Sequence, residues 1–470
     1  MDTPATDSHI TENISVDATR LIARFALADH EFSPMARLRA LDAITDCTAC
    51  MLAGGAEALA APLRKLLATS ASPVDELNAL VIGTGRHATP ADAALHNSAL
   101  AHALDYDDTN HPAYAHPSAV LVPTLLALAP RCEANGADLI DAYIAGFEIF
   151  GKLGRALNTQ HYKRGWHATG TFGALAAVVC AGRLLRLTDQ QMTMAIGIAA
   201  SAASGLRANF GSMVKPLHAG YASRNGILAA LLAREGFDAC TTAMEHRYGY
   251  LSVFNDGIGH ATAPFTALGL DLEILTEHGL ALKPFPACGA THPGIEAALS
   301  LREEIGDSVI DHIEVGVCEM SFAPLIHVVP HSPLEGKFSL HYCIAAALVF
   351  GELDLRSFTP DKISDARVLS LIERIHVKVD ERWRDDSEFS TEVVVHTTDG
   401  RRLASHVPLA IGKPARWFSE AQLRAKFDDC TSKLDTAASS QVWRALRELD
   451  TSRPPTALLS SLEACHVPAA

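Results

Sequence analysis

The segment His102-Ala-Leu-Asp105-Tyr-Asp107-Asp108-Thr109-Asn-His111-Pro-Ala-Tyr-Ala-His116 puts three carboxylates, a threonine and three histidines within fifteen residues. At that density, beside apolar helical text, ionisable groups are costly to bury unless they pair or do chemistry. Carboxylate and imidazole side by side are the parts of a proton-transfer site. On a continuing helix Asp105 and Thr109 share one face, with His102 one turn behind. The plain alternative is a helix end that runs into a solvated, Pro-containing loop.

Further segments of the same character follow. Arg164-Gly-Trp-His167-Ala-Thr-Gly170 brackets a Trp-His pair with glycines just before a small-residue helix, where imidazole and free backbone N–H groups can meet an anion. Its alternative is a packed loop. In Lys215-Pro-Leu-His218-Ala-Gly220 the proline is expected to hold the ammonium on an extended segment, with His218 opening the next helix; taken alone, such a lysine is simply solvated. Lys283-Pro-Phe-Pro-Ala-Cys288-Gly-Ala-Thr-His292 stands where the text changes character, and junctions between domains favour ligand sites. Gly336-Lys337-Phe-Ser-Leu-His341 again sets polar groups at a helix start. Lysines that can hold an anion, and imidazoles that can move its protons, recur together.

The elements that must position these groups fall into two kinds. From about residue 16 to 270 the text reads as successive Ala-rich helices. Thr89-Pro90-Ala91-Asp92 gives an N-cap, a proline at the first helical position and an acid at the third. Gly136-Ala-Asp138 and Thr169 to Leu185 open two more helices, and Ser223 to Arg234 forms another, closed by Gly236. After about residue 280, Ile313–Val317 and Ile375–Val379 alternate as strands, and Glu392 to Val407 is a hairpin around Asp399-Gly400. Helices at about 294–305 and 338–350 lie between them, and amphipathic helices return after about 415. The expected fold is mainly α: a large all-helical domain (1–279), a smaller α+β lid domain (280–412), and C-terminal helices (413–470) that rejoin the helical body.

Size and composition agree. A chain of 470 residues exceeds the usual span of one core. The formal charge of −15, with no basic stripe, argues against nucleic acid as a partner. No uninterrupted apolar run reaches about 18 residues, so no membrane span is expected. Ten cysteines lie scattered without a disulfide framework, and the N-terminal stretch is polar and acidic, so a reducing, cytoplasmic location is expected. Cys47-Thr-Ala-Cys50 is one isolated pair, and Gly83-Thr-Gly85 reads as a turn rather than a dinucleotide loop. No His-Glu-x-x-His or comparable zinc spacing occurs, and no metal is expected.

Taken in order, HALDYDDTNHPAYAHPSA, GWHATGTFGA, KPLHAGYASRNG, KPFPACGATHPG and GKFSLHYCIAAAL closely resemble the motifs of the MmgE/PrpD family, over about residues 15 to 450. Members of that family dehydrate 2-methylcitrate, decarboxylate cis-aconitate or epimerise iminodisuccinate. The resemblance implies a helical domain with an α+β lid, a site between them, a homodimer, and bond breaking next to a carboxylate without a cofactor. It places Asp105, Thr109, His116, His167, Lys215 and Lys283 on active-site motif positions. Lys215 and Lys283 would then clamp substrate carboxylates, His116 and His167 would transfer protons, and Asp105 and Thr109 would orient them; Lys215 is an alternative base. His218 and His292 join the candidate substrate-binding groups. Cys288, as a thiolate facing a lysine or histidine, would suit a two-base epimerase.

Three functions follow as expectations. The first is a cofactor-independent lyase acting on a small di- or tricarboxylate by dehydration or decarboxylation. The second is an isomerase of a dicarboxylate that removes and returns an α-proton. The third is a carboxylate-binding protein without catalysis.

Overall fold

The computed structural model describes residues 17–68, 79–256, 262–386 and 388–468. The polar N-terminal stretch read above lies outside the described residues. The chain is mainly helical, and several of its helices begin at side-chain caps. Ser33 Oγ accepts from Ala36 N at 3.3 Å with Pro34 at the first position of helix Pro34–Gly54. Thr89 caps helix Pro90–Ala101 in the same way, through Asp92 N at 3.2 Å. Asn135 and Asp138 form a reciprocal capping box at the start of Gly136–Leu157.

At the centre lie Ser118–Leu128, Ala168–Leu184 and Val214–Arg234, the last two rich in alanine and glycine. Small residues let these helices touch. A Cβ added to Gly226 would stand 2.4 Å from the Ala177 side chain, and one added to Gly220 would stand 2.5 Å from Leu95 O. Almost every residue of Ala168–Leu184 is buried, which is why its apolar residues show no single stripe.

Buried apolar residues form two clusters. One runs through the helices from Ala18 to Leu282 and takes in Phe418, Phe427, Leu446 and Leu462. The other contains Ala287, Ile295, Val315, Ile344, Val393 and Val407. The second cluster lies under a four-stranded sheet of β5 (Ile310–Val317), β6 (Ile375–Val379), β7 (Thr391–Thr397) and β8 (Arg402–Val407), in the order β6-β5-β7-β8. β5 is parallel to β6 and antiparallel to β7, and β7–β8 is the hairpin, with Gly400 at φ 88° in its turn. Helix His292–Ile305 packs on β7 and β8 and against Leu340–Phe350. Gly83-Thr-Gly85 is the turn between β1 (Ala79–Val81) and β2 (Arg86–Ala88). Among the described residues no helix is long and apolar enough to cross a membrane.

Candidate active site

The helix that carries the first acid–imidazole segment stops early. Helix Pro90–Ala101 ends with His102 as its C-cap, and Asp105 takes a left-handed backbone at φ 55°. Asp105 and Thr109 therefore do not share a helix face. Instead Thr109 begins a short strand, β3 (Thr109–Asn110), and pairs with Ala281 of β4 (Leu280–Ala281). Aspartate tolerates the left-handed region better than most residues, so the chain can turn here without glycine.

Leaving a helix frees carbonyls that need donors once buried. Three consecutive ones receive lysines from three separate segments. Leu104 O accepts from Lys337 Nζ at 2.6 Å, Asp105 O from Lys283 Nζ at 2.7 Å, and Tyr106 O from Lys426 Nζ at 2.7 Å. Lys426 also contacts Asp46 Oδ1 at 2.5 Å, inside the core. The loop is thus tied to the α+β part, to the junction and to C-terminal helix Glu420–Cys430.

The Asp105 carboxylate lies between two ammonium groups. Lys215 Nζ is 2.6 Å from Oδ1 and Lys283 Nζ is 3.0 Å from Oδ2. Burial opposes ionisation of Asp105, yet the charges of Lys215 and Lys283 hold its carboxyl well below the usual range. Burial likewise works against the charge of Lys215, and Asp105 outweighs it and raises the ammonium pKa. Lys215 is not on an extended segment. Helix Val214–Arg234 begins one residue earlier, so Lys215, Pro216 and His218 all lie within its first turns, where a proline is tolerated.

Beside this triad runs a row of imidazoles. His102 Nδ1 is hydrogen-bonded to Asp107 Oδ2 at 2.8 Å, and His116 Nδ1 lies 3.4 Å from the same oxygen without a bond of good geometry. His116 Nε2 is 3.9 Å from Asp105 Oδ1. The His102 ring stands 4.5 Å from that of His116 and 5.8 Å from that of His167. His167 and His218 share a hydrogen bond between their Nδ1 atoms at 2.9 Å, which requires one to donate and the other to accept. Burial lowers His116 to about 3 against the opposing charge of Asp107, and burial reinforced by Lys215 lowers His218 to about 4 and His167 as well. All three are neutral at physiological pH. Backbone geometry holds His167 in place: it is the N-cap of Ala168–Leu184, and its N–H donates to Gly205 O at 3.0 Å.

The structure brings Asp105, His116, His167, Lys215, His218 and Lys283 together. Cys288 is in electrostatic reach of Asp105, Lys283 and Lys215, but burial first, then the Asp105 charge, pushes its thiol up to about 11. It is a thiol at neutral pH rather than the expected thiolate. His292 meets the local backbone, with its Nε2 3.1 Å from Ala287 O and its ring packed on Phe285. Four participants were given no role in the sequence reading. His102 and Asp107 stand in the first segment and Lys337 in the last, so their types were visible but not their roles. Lys426 carried no local signal. The ligand atoms of His102, Asp107 and His116 lie within 4.8 Å of one another, close enough for a metal ion. The neighbouring ammonium groups oppose a cation there and favour an anion.

A largely buried pair of ammonium groups beside neutral imidazoles, where a helical body meets a small α+β unit, is suited to an anion that gains or loses a proton. The chain belongs to the MmgE/PrpD family: the MmgE/PrpD N-terminal domain matches residues 20–261 and the MmgE/PrpD C-terminal domain residues 285–450. It is 30% identical to the cis-aconitate decarboxylase of Aspergillus terreus, over 71% of this chain and 74% of that protein. It is 28% identical to the cis-aconitate decarboxylase-like protein oryM of Aspergillus oryzae, over 81% and 84% of the two chains. It is 27% identical to human cis-aconitate decarboxylase, over 79% of each.

Proposed function

We propose that this protein is a lyase that decarboxylates a small tricarboxylate of the cis-aconitate type without a cofactor. The observation that carries the reading is the convergence of Lys215 and Lys283 on one carboxylate beside neutral imidazoles. Asp105 occupies the place a substrate carboxylate would contest. Its position indicates that the two lysines can share an anion at hydrogen-bonding distance. The named relatives support decarboxylation over dehydration.

Cleaving the carbon–carboxylate bond releases carbon dioxide and leaves an electron pair, which must come to rest on a carbon next to a second carboxylate. The ammonium groups of Lys215 and Lys283 stabilise the charge that develops there. A proton must then reach that carbon. Burial and the ammonium charges hold His116 and His167 neutral. Substrate carboxylates offset that positive charge and raise the imidazole pKa values, so that binding itself prepares the acid. Asp105 and Asp107 are positioning residues that fix the lysines and imidazoles.

The test is proton NMR in D₂O of chelator-treated protein with cis-aconitate, citrate, 2-methylcitrate, malate and iminodisuccinate. Loss of cis-aconitate with one deuterium in the product supports the proposal. Deuterium entry at an α-position without net loss would replace it with the epimerase reading, and line broadening without reaction with simple binding.

A further inference from the structure

On the outer face of the four-stranded sheet, His312 of β5 and His396 of β7 are direct cross-strand partners. Their rings lie parallel, 4.2 Å apart. Glu314 is two residues along β5, hence on the same face. Its Oε1 is 3.5 Å from His396 Nε2 and 3.9 Å from His312 Nε2. We infer that His312, Glu314 and His396 form a binding site for a borderline divalent transition metal such as Zn²⁺.

The geometry fits the donor set. The three ligand atoms lie within 4.8 Å of one another. A tetrahedral zinc with bonds of about 2 Å sets its donors about 3.3 Å apart, so the site needs only a small contraction. His312 Nδ1 is hydrogen-bonded to Asp311 Oδ2 at 2.9 Å, which turns Nε2 toward Glu314 in the carboxylate–histidine–metal arrangement. His396 Nε2 is buried and has no hydrogen-bond partner. A metal would supply the missing partner. Because an imidazole lone pair lies in the ring plane, one of the parallel rings must tilt, and this unbonded ring is free to do so. The His376 ring, 6.3 Å from that of His312, is next to hand, since His376 pairs with Glu314 across β5 and β6. Opposing the metal is Lys378, whose Nζ is 3.2 Å from Glu314 Oε2. It holds the oxygen on the far side and leaves Oε1 facing the imidazoles. Two nitrogen donors and one carboxylate select Cu²⁺ and Zn²⁺ over Mg²⁺ and Ca²⁺. A search for local zinc spacing misses such a site, because strand pairing assembles it from residues far apart in the chain.

The test uses the full chain, stripped with chelator and titrated with Zn²⁺ against a chromophoric competitor. Wild-type protein should bind one equivalent more than the His312→Ala/His396→Ala double variant. Lys378→Ala should bind that equivalent several-fold more tightly, because it frees Glu314. With one equivalent of Cu²⁺, the electron paramagnetic resonance spectrum should show coupling to at least two imidazole nitrogens that the double variant loses. Equal stoichiometry and affinity in wild type and double variant, or no effect of Lys378→Ala, would overturn the inference. The Lys378→Ala arm, at an exposed position, decides the matter even if the double variant does not fold.

Discussion

Lys283 holds Asp105 at two points, its Nζ 2.7 Å from the backbone carbonyl and 3.0 Å from Oδ2. The first contact shapes the loop and the second balances the carboxylate charge. Lys215 makes only the side-chain contact, at 2.6 Å. Two lysines on one aspartate therefore carry different structural weight.

That difference predicts a split between the two alanine variants. Lys215→Ala should lower kcat/KM on the order of 100-fold, the scale of losing one charged donor to the developing anion, with a smaller loss of stability than Lys283→Ala. Lys283→Ala should lose comparable activity and also about 3–5 kcal/mol of stability, because it leaves a buried carbonyl and half a carboxylate unpartnered. Steady-state kinetics and chemical denaturation of both variants measure this. Equal destabilisation would refute it.

His116 stands between Asp105 and Asp107, 3.9 Å from one and 3.4 Å from the other. For a proton-transfer residue, His116→Gln should cost turnover by about 100-fold to 10,000-fold with little change in KM. Stopped assays at saturating substrate give the answer. A change confined to KM would instead make His116 a binding group.

Lys426 joins the C-terminal helix to the active-site loop through Tyr106 O and to the core through Asp46. Lys426→Met removes one partner of a buried ion pair and should cost about 3–5 kcal/mol. The double change Lys426→Met/Asp46→Leu should recover much of that loss, since no buried charge is then left alone. A double-mutant cycle in urea tests this, and simple additivity would count against it.

Stability should climb with pH across the mildly acidic range. Burial lowers His96, His161 and His218 to about 4, and His116 and His292 to about 3. In the unfolded chain each titrates near about 6.5, so below that pH the unfolded state takes up protons that the folded state refuses. Each group's contribution is whole above about 6.5 and falls by at most about 1.4 kcal/mol per pH unit toward the folded value. Burial raises Asp46 and Asp429 to about 6 and Asp108 to about 8, and these act in the opposite sense: their contribution is lost as pH rises. The five histidines outnumber the three carboxylates. The melting temperature should rise from about pH 4.5 to 6.5 and then slip slightly toward 8 as Asp108 ionises. Calorimetry across that range checks it, and a flat or falling profile below pH 6.5 would contradict it.

Much of the fold was legible in local chemistry. The cap at Thr89, the helix start at Gly136, the alternating strands and the Asp399-Gly400 hairpin turn are decided by neighbours in the chain, so pattern alone places them. The polar segments likewise announced themselves by burying charge in apolar text. Other features depend on partners distant in sequence. Helix Pro90–Ala101 ends before Asp105, and the loop beyond it keeps its shape because Lys337, Lys283 and Lys426 supply donors to three successive carbonyls. No local pattern encodes that arrangement.

What the sequence by itself determined is the set of groups and the secondary elements that carry them: lysines, histidines and acids at helix starts and ends, and a helical body with a small α+β unit. Tertiary structure alone decided which of them meet. It turned His292 to its own backbone, kept Cys288 a thiol, and set Asp105 between Lys215 and Lys283. The reason is physical. Propensity and capping act over a few residues, whereas burial and charge pairing depend on everything packed within a few ångströms, wherever it lies in the chain.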